Sequence, residues 1–398
     1  MSEVFLAVLT AVVAVIASMA VYPFVLRFAR KHSVYDNPNE RKLQRSPVPV
    51  MGGIAVFVGI LAAMSFAEIF VDFEVRWLGV VSFTVMLAVG LWDDIRDVPA
   101  GLRFLIEIFV VWMIISTMKI GLDNLHGLWG VGFVSPYFSS PLSILAGVGI
   151  INAINLIDGV DGYSSGYCIM ACGLFAILFF SVGLYRTGLF ALACAGALLP
   201  FFLHNVFGLK SKMFIGDSGT LMLGTIMSLF VFIVISGRSD YSSALENRGF
   251  GTVAFTLAVL AIPVFDTLRV MGARIIRGRS PFEPDRTHLH HLFIDAGFSH
   301  VGTAFHIVML NLLIVLIWFA SWLLGASVEF QFYVVVALGI LFTFVFYRFM
   351  RIQQNKGLFF WKWMLRAGNR SHIERRRVWK VIRNMVDNSL LGGGIIRK

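Results

Sequence analysis

The sequence predicts an all-α, polytopic helical membrane protein of about eleven transmembrane helices, and three observations support this. Hydrophobic residues make up 58% of the 398-residue chain and charged residues only 14%, a balance foreign to soluble domains. The apolar residues gather into eleven stretches, near 4–26, 53–71, 77–92, 103–120, 141–157, 166–184, 188–206, 219–236, 252–270, 305–325 and 330–349, matched to roughly 30 Å of hydrocarbon. The charge is also sided. With the N-terminus outside, the inner loops, the C-terminal tail and their flanks hold 28 of the 33 Lys and Arg residues, and the outer loops with their flanks hold 5. The positive-inside rule therefore predicts an outer N-terminus and a cytoplasmic C-terminus.

Taken in order, the first stretch carries Glu3 and no Lys or Arg ahead of it, with its basic residues behind. It reads as a retained first helix rather than a cleaved leader. The loop after it contains Asp36, Lys42 and the run Pro47-Val48-Pro49-Val50-Met51-Gly52-Gly53. Pro and Gly fix its shape and let backbone approach closely where the second span begins. Its basic residues either orient the chain in the membrane or wall a pyrophosphate, with Lys42 as the contact. The third span ends in Asp93-Asp94-Ile95-Arg96-Asp97. On a helix Asp93 and Asp97 would share a face. Paired carboxylates suit Mg²⁺ or general-base work, against the plainer reading of a solvated helix end.

The fifth span closes on Asn152-Ala153-Ile154-Asn155-Leu156-Ile157-Asp158-Gly159-Val160-Asp161-Gly162. Two amides and two carboxylates at the end of a span are hard to justify as packing, because each needs a partner. Cys168, Cys172 and Cys194 fall inside later spans and read as buried packing residues, not a disulfide framework. The eighth span opens on Phe214-Ile215-Gly216-Asp217-Ser218-Gly219. A helix N-terminus there offers N–H groups to a phosphate, while Asp217 suits either a cap or a metal ligand. Phe214 suits either a stacked base or an interface anchor. The longest inner loop carries Pro284-Asp285-Arg286-Thr287-His288-Leu289-His290-His291. Three histidines suggest zinc, but no fourth ligand is spaced to complete it; with Arg286 they suit the charge on a diphosphate better. Residues 1–350 read as one transmembrane domain and 351–398 as a basic tail. Ile373, Val378, Val381, Ile382 and Met385 lie there at helical spacing, as in an interfacial helix held on anionic membrane lipid.

In combination and order, D-D-x-x-D, N-x-x-N-x-x-D-G-x-D-G, G-D-S-G and H-x-H-H resemble the polyprenyl-phosphate N-acetylhexosamine-1-phosphate transferases over nearly all of residues 30–300. Pro-Asp-Arg before H-x-H-H is similar to the branch that initiates O-antigen, common-antigen or teichoic-acid linkage synthesis. That resemblance implies transfer of N-acetylglucosamine-1-phosphate from UDP-N-acetylglucosamine to undecaprenyl phosphate, with release of UMP. It implies Mg²⁺, with Mn²⁺ as a substitute, and a multi-pass protein of the bacterial inner membrane with its site on the cytoplasmic face. It implies Asp217 as metal ligand with the essential pair Asp93 and Asp94, the latter also near the metal. Asn155, Asp158, Gly159 and Asp161 would serve the nucleoside side and Phe214 the uracil, with Asn152 also binding substrate, while His288, His290, His291 and Arg286 would meet the diphosphate or sugar. Arg103 stands where many members have a Lys that meets the lipid phosphate, and Leu43-Gln44 where relatives often have a His.

No nucleic-acid partner is expected, and an oligomer is compatible with the sequence. Three rival readings compete with this one. A transporter would place polar residues near the midplane on repeated halves, whereas these lie at one face. A scaffold with a decayed site would not need intact motifs. A sister transferase using UDP-N-acetylgalactosamine or a muramyl-pentapeptide sugar is the nearest alternative.

Overall fold

The computed structural model describes residues 2–38, 44, 46–71, 77–237, 245–246, 248–281, 283, 285–389. All eleven apolar stretches are helical. Among the described residues eight helices are long and apolar enough to cross a membrane, and a bent pair makes a ninth. The second stretch is a 17-residue helix, α2 (Gly52–Glu68). The third is the 19-residue α3 (Trp77–Ile95). A polytopic helical protein is thus present, with eight spans or nine including the bent pair among the described residues where eleven were expected; α2 and α3 are not among those nine. The chain forms two compact units interleaved in sequence: residues 1–98, 158–223 and 372–398 in one, and 99–157 and 224–371 in the other.

In the first unit, α1 (Glu3–Lys31), α2, α6 (Tyr163–Ser181) and α7 (Tyr185–Phe207) pack together. Ser18 on α1 donates to the carbonyl of Ala197 on α7 at 2.8 Å. A short antiparallel hairpin, β1 (Tyr35–Asp36) with β2 (Val48–Pro49), leads into α2. The Pro-rich run then pairs with the entry to α8 (Gly216–Ile235): Phe214 N–H donates to Pro49, and Gly52 and Gly53 N–H donate to Phe214 and Ile215, at 2.8–3.0 Å. A Cβ on Gly53 would stand 2.4 Å from the amide nitrogen of Gly219, so only glycine permits this approach. Buried backbone groups need partners, and this pairing supplies them where two helices start side by side.

The second unit holds α4 (Ala100–Met118), α5 (Pro136–Leu156), the later turns of α8, and the bent pair α9 (Thr252–Val259) and α10 (Ala261–Ile276). It continues with α11 (Leu289–Asp295), α12 (His300–Leu323), α13 (Val328–Ile340), a π-helical turn at Leu341–Val345, α14 (Phe346–Asn355) and α15 (Phe359–Arg370). The stretch expected as one span at 252–270 is broken by 75° between α9 and α10. Asn311 on α12 explains why the break is tolerated. Its amide donates to Ala258 and Val259 carbonyls at 3.2 and 3.0 Å and accepts from Ile262 N–H at 2.9 Å, so the freed backbone groups are satisfied inside the protein.

The tail also differs from the single helix expected. It forms α15 in the second unit and α16 (Arg377–Ser389) in the first, with a 3₁₀ turn at Ile373–Arg375 between them. Ile373 is therefore not on the same helix as Val378, Val381 and Met385. The three cysteines are free and buried, as expected of packing residues.

Candidate active site

The residues singled out in the sequence fall into two sets, one in each unit. Asp93, Asp94, Asp158, Gly159, Asp161, Phe214 and Asp217 belong to the first unit, and Arg103, Asn152, Asn155, Arg286, His288, His290 and His291 to the second. Lys42 lies outside the described residues.

In the first unit the acidic pair divides its work. Asp94, on the last turn of α3, accepts from the backbone N–H of Asp217 at 2.8 Å and of Ser218 at 3.2 Å. The donors at the start of α8, expected to be open to a phosphate, are thus taken by a protein carboxylate. Such an anion at a helix N-terminus is stabilised by the macrodipole, and it fixes Asp94 beside Asp217. Gly216 makes the contact possible: its φ is +76°, and a Cβ there would lie 2.4 Å from Asp94 Oδ2. Asp93 accepts from Val98 N–H at 2.9 Å and holds the turn after α3. That helix ends at Ile95, so Asp97 is exposed beyond it and does not share a helical face with Asp93.

Asp158 and Asp161 sit in the turn before α6. Ser164 Oγ donates to Asp158. Burial pushes the Asp158 carboxyl up to about 7; Ser164 opposes this, and the charges of Asp217, Asp161 and Asp36 reinforce it. Asp161 is paired with Lys212 Nζ at 2.6 Å, and the same ammonium lies 5.6 Å from the centre of the Phe214 ring, within cation–π range. Lys212 was not singled out in the sequence; a lone Lys in a short loop carries no pattern. Gln44, given no role, donates to Asp36 at 2.6 Å.

In the second unit, Asn152 gives its amide hydrogens to Glu107 and to the Val148 carbonyl. Its donors are therefore committed within the unit rather than turned to a ligand. Glu107 is fully buried and also lies 3.5 Å from Arg103. As the one carboxylate inside the α4 stretch it was visible in the sequence, because an intramembrane acid is costly without partners. Asn155 is partly buried on the last turn of α5, and Gly159 is exposed in the turn that follows the first unit's Asp158.

The histidine motif is built on Asp266 of α10, also missed. Asp266 accepts from Arg269 at 2.6 Å, from the Leu289 N–H at 3.1–3.2 Å, and is 2.9 Å from His288 Nδ1. With Nδ1 held by the carboxylate, Nε2 of His288 faces away from Asp266; it is buried and has no hydrogen-bond partner among the described residues. His288 and His290 lie nearly parallel at 5.8 Å, and His290 meets His291 at 4.3 Å. Burial and the neighbouring histidines lower His290, and burial with the His288 charge pushes His291 down to about 4. His291 is therefore neutral at pH 7, and His290 is shifted in the same direction. Burial alone would raise the Asp285 carboxyl, but hydrogen bonds from Arg274 and Thr287 prevail and hold it at about 2, fixing the loop ahead of Arg286.

Among the described residues no three His, Cys, Asp or Glu side chains converge as a metal cluster. Two carboxylates, Asp94 and Asp217, nevertheless stand together at the start of α8 and bear on each other's charge. Mg²⁺ commonly takes one or two carboxylates and completes its shell with water and substrate phosphate, so this donor set fits it.

Comparison with known proteins agrees with the motifs. Residues 76–236 match glycosyl transferase family 4. The chain is 30% identical over 294 residues to a protein of Bacillus subtilis (strain 168) named as a probable undecaprenyl-phosphate N-acetylglucosaminyl 1-phosphate transferase, covering 73% of this chain and 77% of that one. It is 29% identical over 282 residues to the undecaprenyl-phosphate alpha-N-acetylglucosaminyl 1-phosphate transferase of Escherichia coli (strain K12), covering 69% and 73%. It is 28% identical over 285 residues to the protein of that name in Yersinia pestis, covering 71% and 75%. The chain belongs to glycosyl transferase family 4, with relatives that are undecaprenyl-phosphate N-acetylglucosaminyl 1-phosphate transferases.

Proposed function

We propose that this membrane phosphoglycosyl transferase moves N-acetylglucosamine-1-phosphate from UDP-N-acetylglucosamine to undecaprenyl phosphate. A lipid phosphate oxygen attacks the sugar-linked phosphorus, the bond to the bridging oxygen breaks, and UMP leaves with that oxygen. The observation that carries this reading is the junction of Asp94 and Asp217 at the start of α8, in a chain whose relatives carry that activity in their names.

Asp94 is the member of the pair that braces α8 and holds Asp217 in place. Asp93 is the member that orients the lipid phosphate or takes its proton. A lipid monophosphate is largely ionised near neutral pH, so the reaction needs no covalent enzyme intermediate. Mg²⁺, with Mn²⁺ as a substitute, would be held by Asp217 beside Asp94 and would supply neutralising charge to the diphosphate. Asp161, paired with Lys212, and Phe214 serve the nucleoside side, with Asn155, Asp158 and Gly159. Arg103 grips a phosphate through its planar fork, while Arg286 and the histidines donate to charge developing on the diphosphate. The 28-to-5 partition of Lys and Arg supports an active face on the cytoplasmic side of the inner membrane.

The test is UMP release by purified protein given undecaprenyl phosphate, Mg²⁺ and a panel of UDP sugars. UDP-N-acetylglucosamine is expected to be the preferred donor. Preference for UDP-N-acetylgalactosamine or the muramyl-pentapeptide sugar would reassign the donor, and no release with any donor would overturn the reaction.

A further inference from the structure

The segment between α7 and α8 is Gly208–Ile215, and it carries Lys212 and Phe214 directly ahead of Asp217. Its backbone is held from several sides within the first unit. Tyr22 of α1 donates to the Ser211 carbonyl at 2.8 Å, and Arg30 donates to the Lys210 carbonyl. Asn205 of α7 donates to the Met213 carbonyl at 3.1 Å and accepts from Gly162 N–H at 2.7 Å. The ring of His204 stacks on Tyr22 at 4.4 Å and reaches Ser211 Oγ at 2.9 Å.

The remaining face is covered by the C-terminal helix. Asp387 of α16 accepts from three successive backbone N–H groups, those of Leu209, Lys210 and Ser211, at 3.0–3.3 Å, and from Ser211 Oγ at 2.7 Å. Trp379, buried, packs on Phe207 with ring centres 4.3 Å apart. A carboxylate in the last turn of a helix is disfavoured by its own macrodipole. Four donors from another segment offset that, and successive amides around one anion form a nest. The residue after this nest is Lys212, whose ammonium holds Asp161 at 2.6 Å.

We propose that α16 is a clasp whose Asp387 positions Lys212, and through it Asp161, for the nucleotide sugar. This rests on the placement of Asp161 and Phe214 on the nucleoside side under the proposed function. Asp387 touches no substrate; it is a positioning residue, and the C-terminal helix thereby becomes part of the donor-binding apparatus rather than only a membrane anchor. Asp387→Asn removes the charge and turns one of the two acceptor oxygens into an NH2 donor facing the same amides, so the loop loosens while α16 keeps its Trp379 contact.

Two measurements on the full chain test this. Hydrogen exchange of the Leu209–Ser211 amides reads the clasp without any catalysis: Asp387→Asn is expected to speed it at least tenfold while α6 exchange stays unchanged. Unchanged exchange at Leu209–Ser211 would overturn the clasp. UMP-release kinetics read the consequence. Misplacing a positioned group by about 1 Å costs up to roughly 10²-fold, so Asp387→Asn is expected to raise KM for UDP-N-acetylglucosamine about tenfold. KM for undecaprenyl phosphate should hold within twofold. In a Lys212→Met background the same change should add less than twofold. Ser211→Ala, which removes one donor and leaves α16 in place, is the milder probe and should give a rise of about threefold in the same KM. Equal changes in both KM values, or full additivity with Lys212→Met, would overturn the positioning role. Wild-type protein that releases no UMP would count against the reaction and not against the clasp, which the exchange measurement decides separately.

Discussion

Asp158 is where burial and chemistry oppose each other most clearly. Its carboxyl is raised from 3.8 to about 7, chiefly by burial and further by Asp217, Asp161 and Asp36. An acid that ionises less readily folded than unfolded draws stability from the fold as pH rises. The loss begins near 4 and is complete a little above 7. At 1.36 kcal/mol per unit, discounted for partial exposure, it amounts to roughly 2–4 kcal/mol. Asp158→Asn, which can still accept from Ser164, is therefore expected to be more stable than wild type at pH 8 and equal to it near pH 4. Thermal unfolding at the two pH values checks this; a variant less stable at pH 8 would contradict it. The residue scale also shows what sequence pattern could and could not reveal. Asp93, Asp94, Asp158, Asp161 and Asp217 stood out because carboxylates at the ends of apolar stretches are costly. Lys212 and Gln44 did not, because their roles arise only from the partners that folding brings them.

Among the elements, α10 and the histidine loop show how a motif is held. Asp266 binds His288, Arg269 and the first amide of α11 at once, so it sets both ring orientation and tautomer. Asp266→Asn keeps the shape and removes the negative charge beside His288 and Arg269. Turnover should fall about 10²-fold, as for loss of a transition-state donor. His288→Ala added to Asp266→Asn should cost little more if the two act as one unit. Independent, additive losses would contradict the assignment. Helix boundaries were legible from apolar periodicity, and Pro263 is a local signal for the break between α9 and α10, because it has no N–H and crowds the Val259 carbonyl. The partner that satisfies the freed groups was not legible: Asn311 lies 49 residues from Ile262 in sequence, and no local pattern announces it. The end of α3 at Ile95 had a signal in the sequence: a shared face for Asp93 and Asp97 requires a helix through Asp97, and Pro99, which disfavours helix at the residue before it, follows too closely for that.

On the scale of the whole molecule, the polytopic helical fold was legible because composition and eleven apolar stretches leave little alternative. The grouping into two interleaved units was not, since it depends on long-range packing rather than local composition. The partition of charge makes a prediction about orientation. A cysteine added after Lys398 should react with a membrane-impermeant thiol reagent only after cells are lysed, the three native cysteines being buried. Labelling in intact spheroplasts would place the tail on the opposite side. The central claim is that the junction of Asp94 and Asp217 is the reaction centre of a Mg²⁺-dependent phosphoglycosyl transferase, and Asp217→Asn tests it most directly. The substitution is close in size and leaves the backbone donor to Asp94 intact, so the variant should elute and unfold like wild type. UMP release from UDP-N-acetylglucosamine and undecaprenyl phosphate should fall at least about 10²–10³-fold, whereas turnover near the wild-type rate in the folded variant would contradict the account.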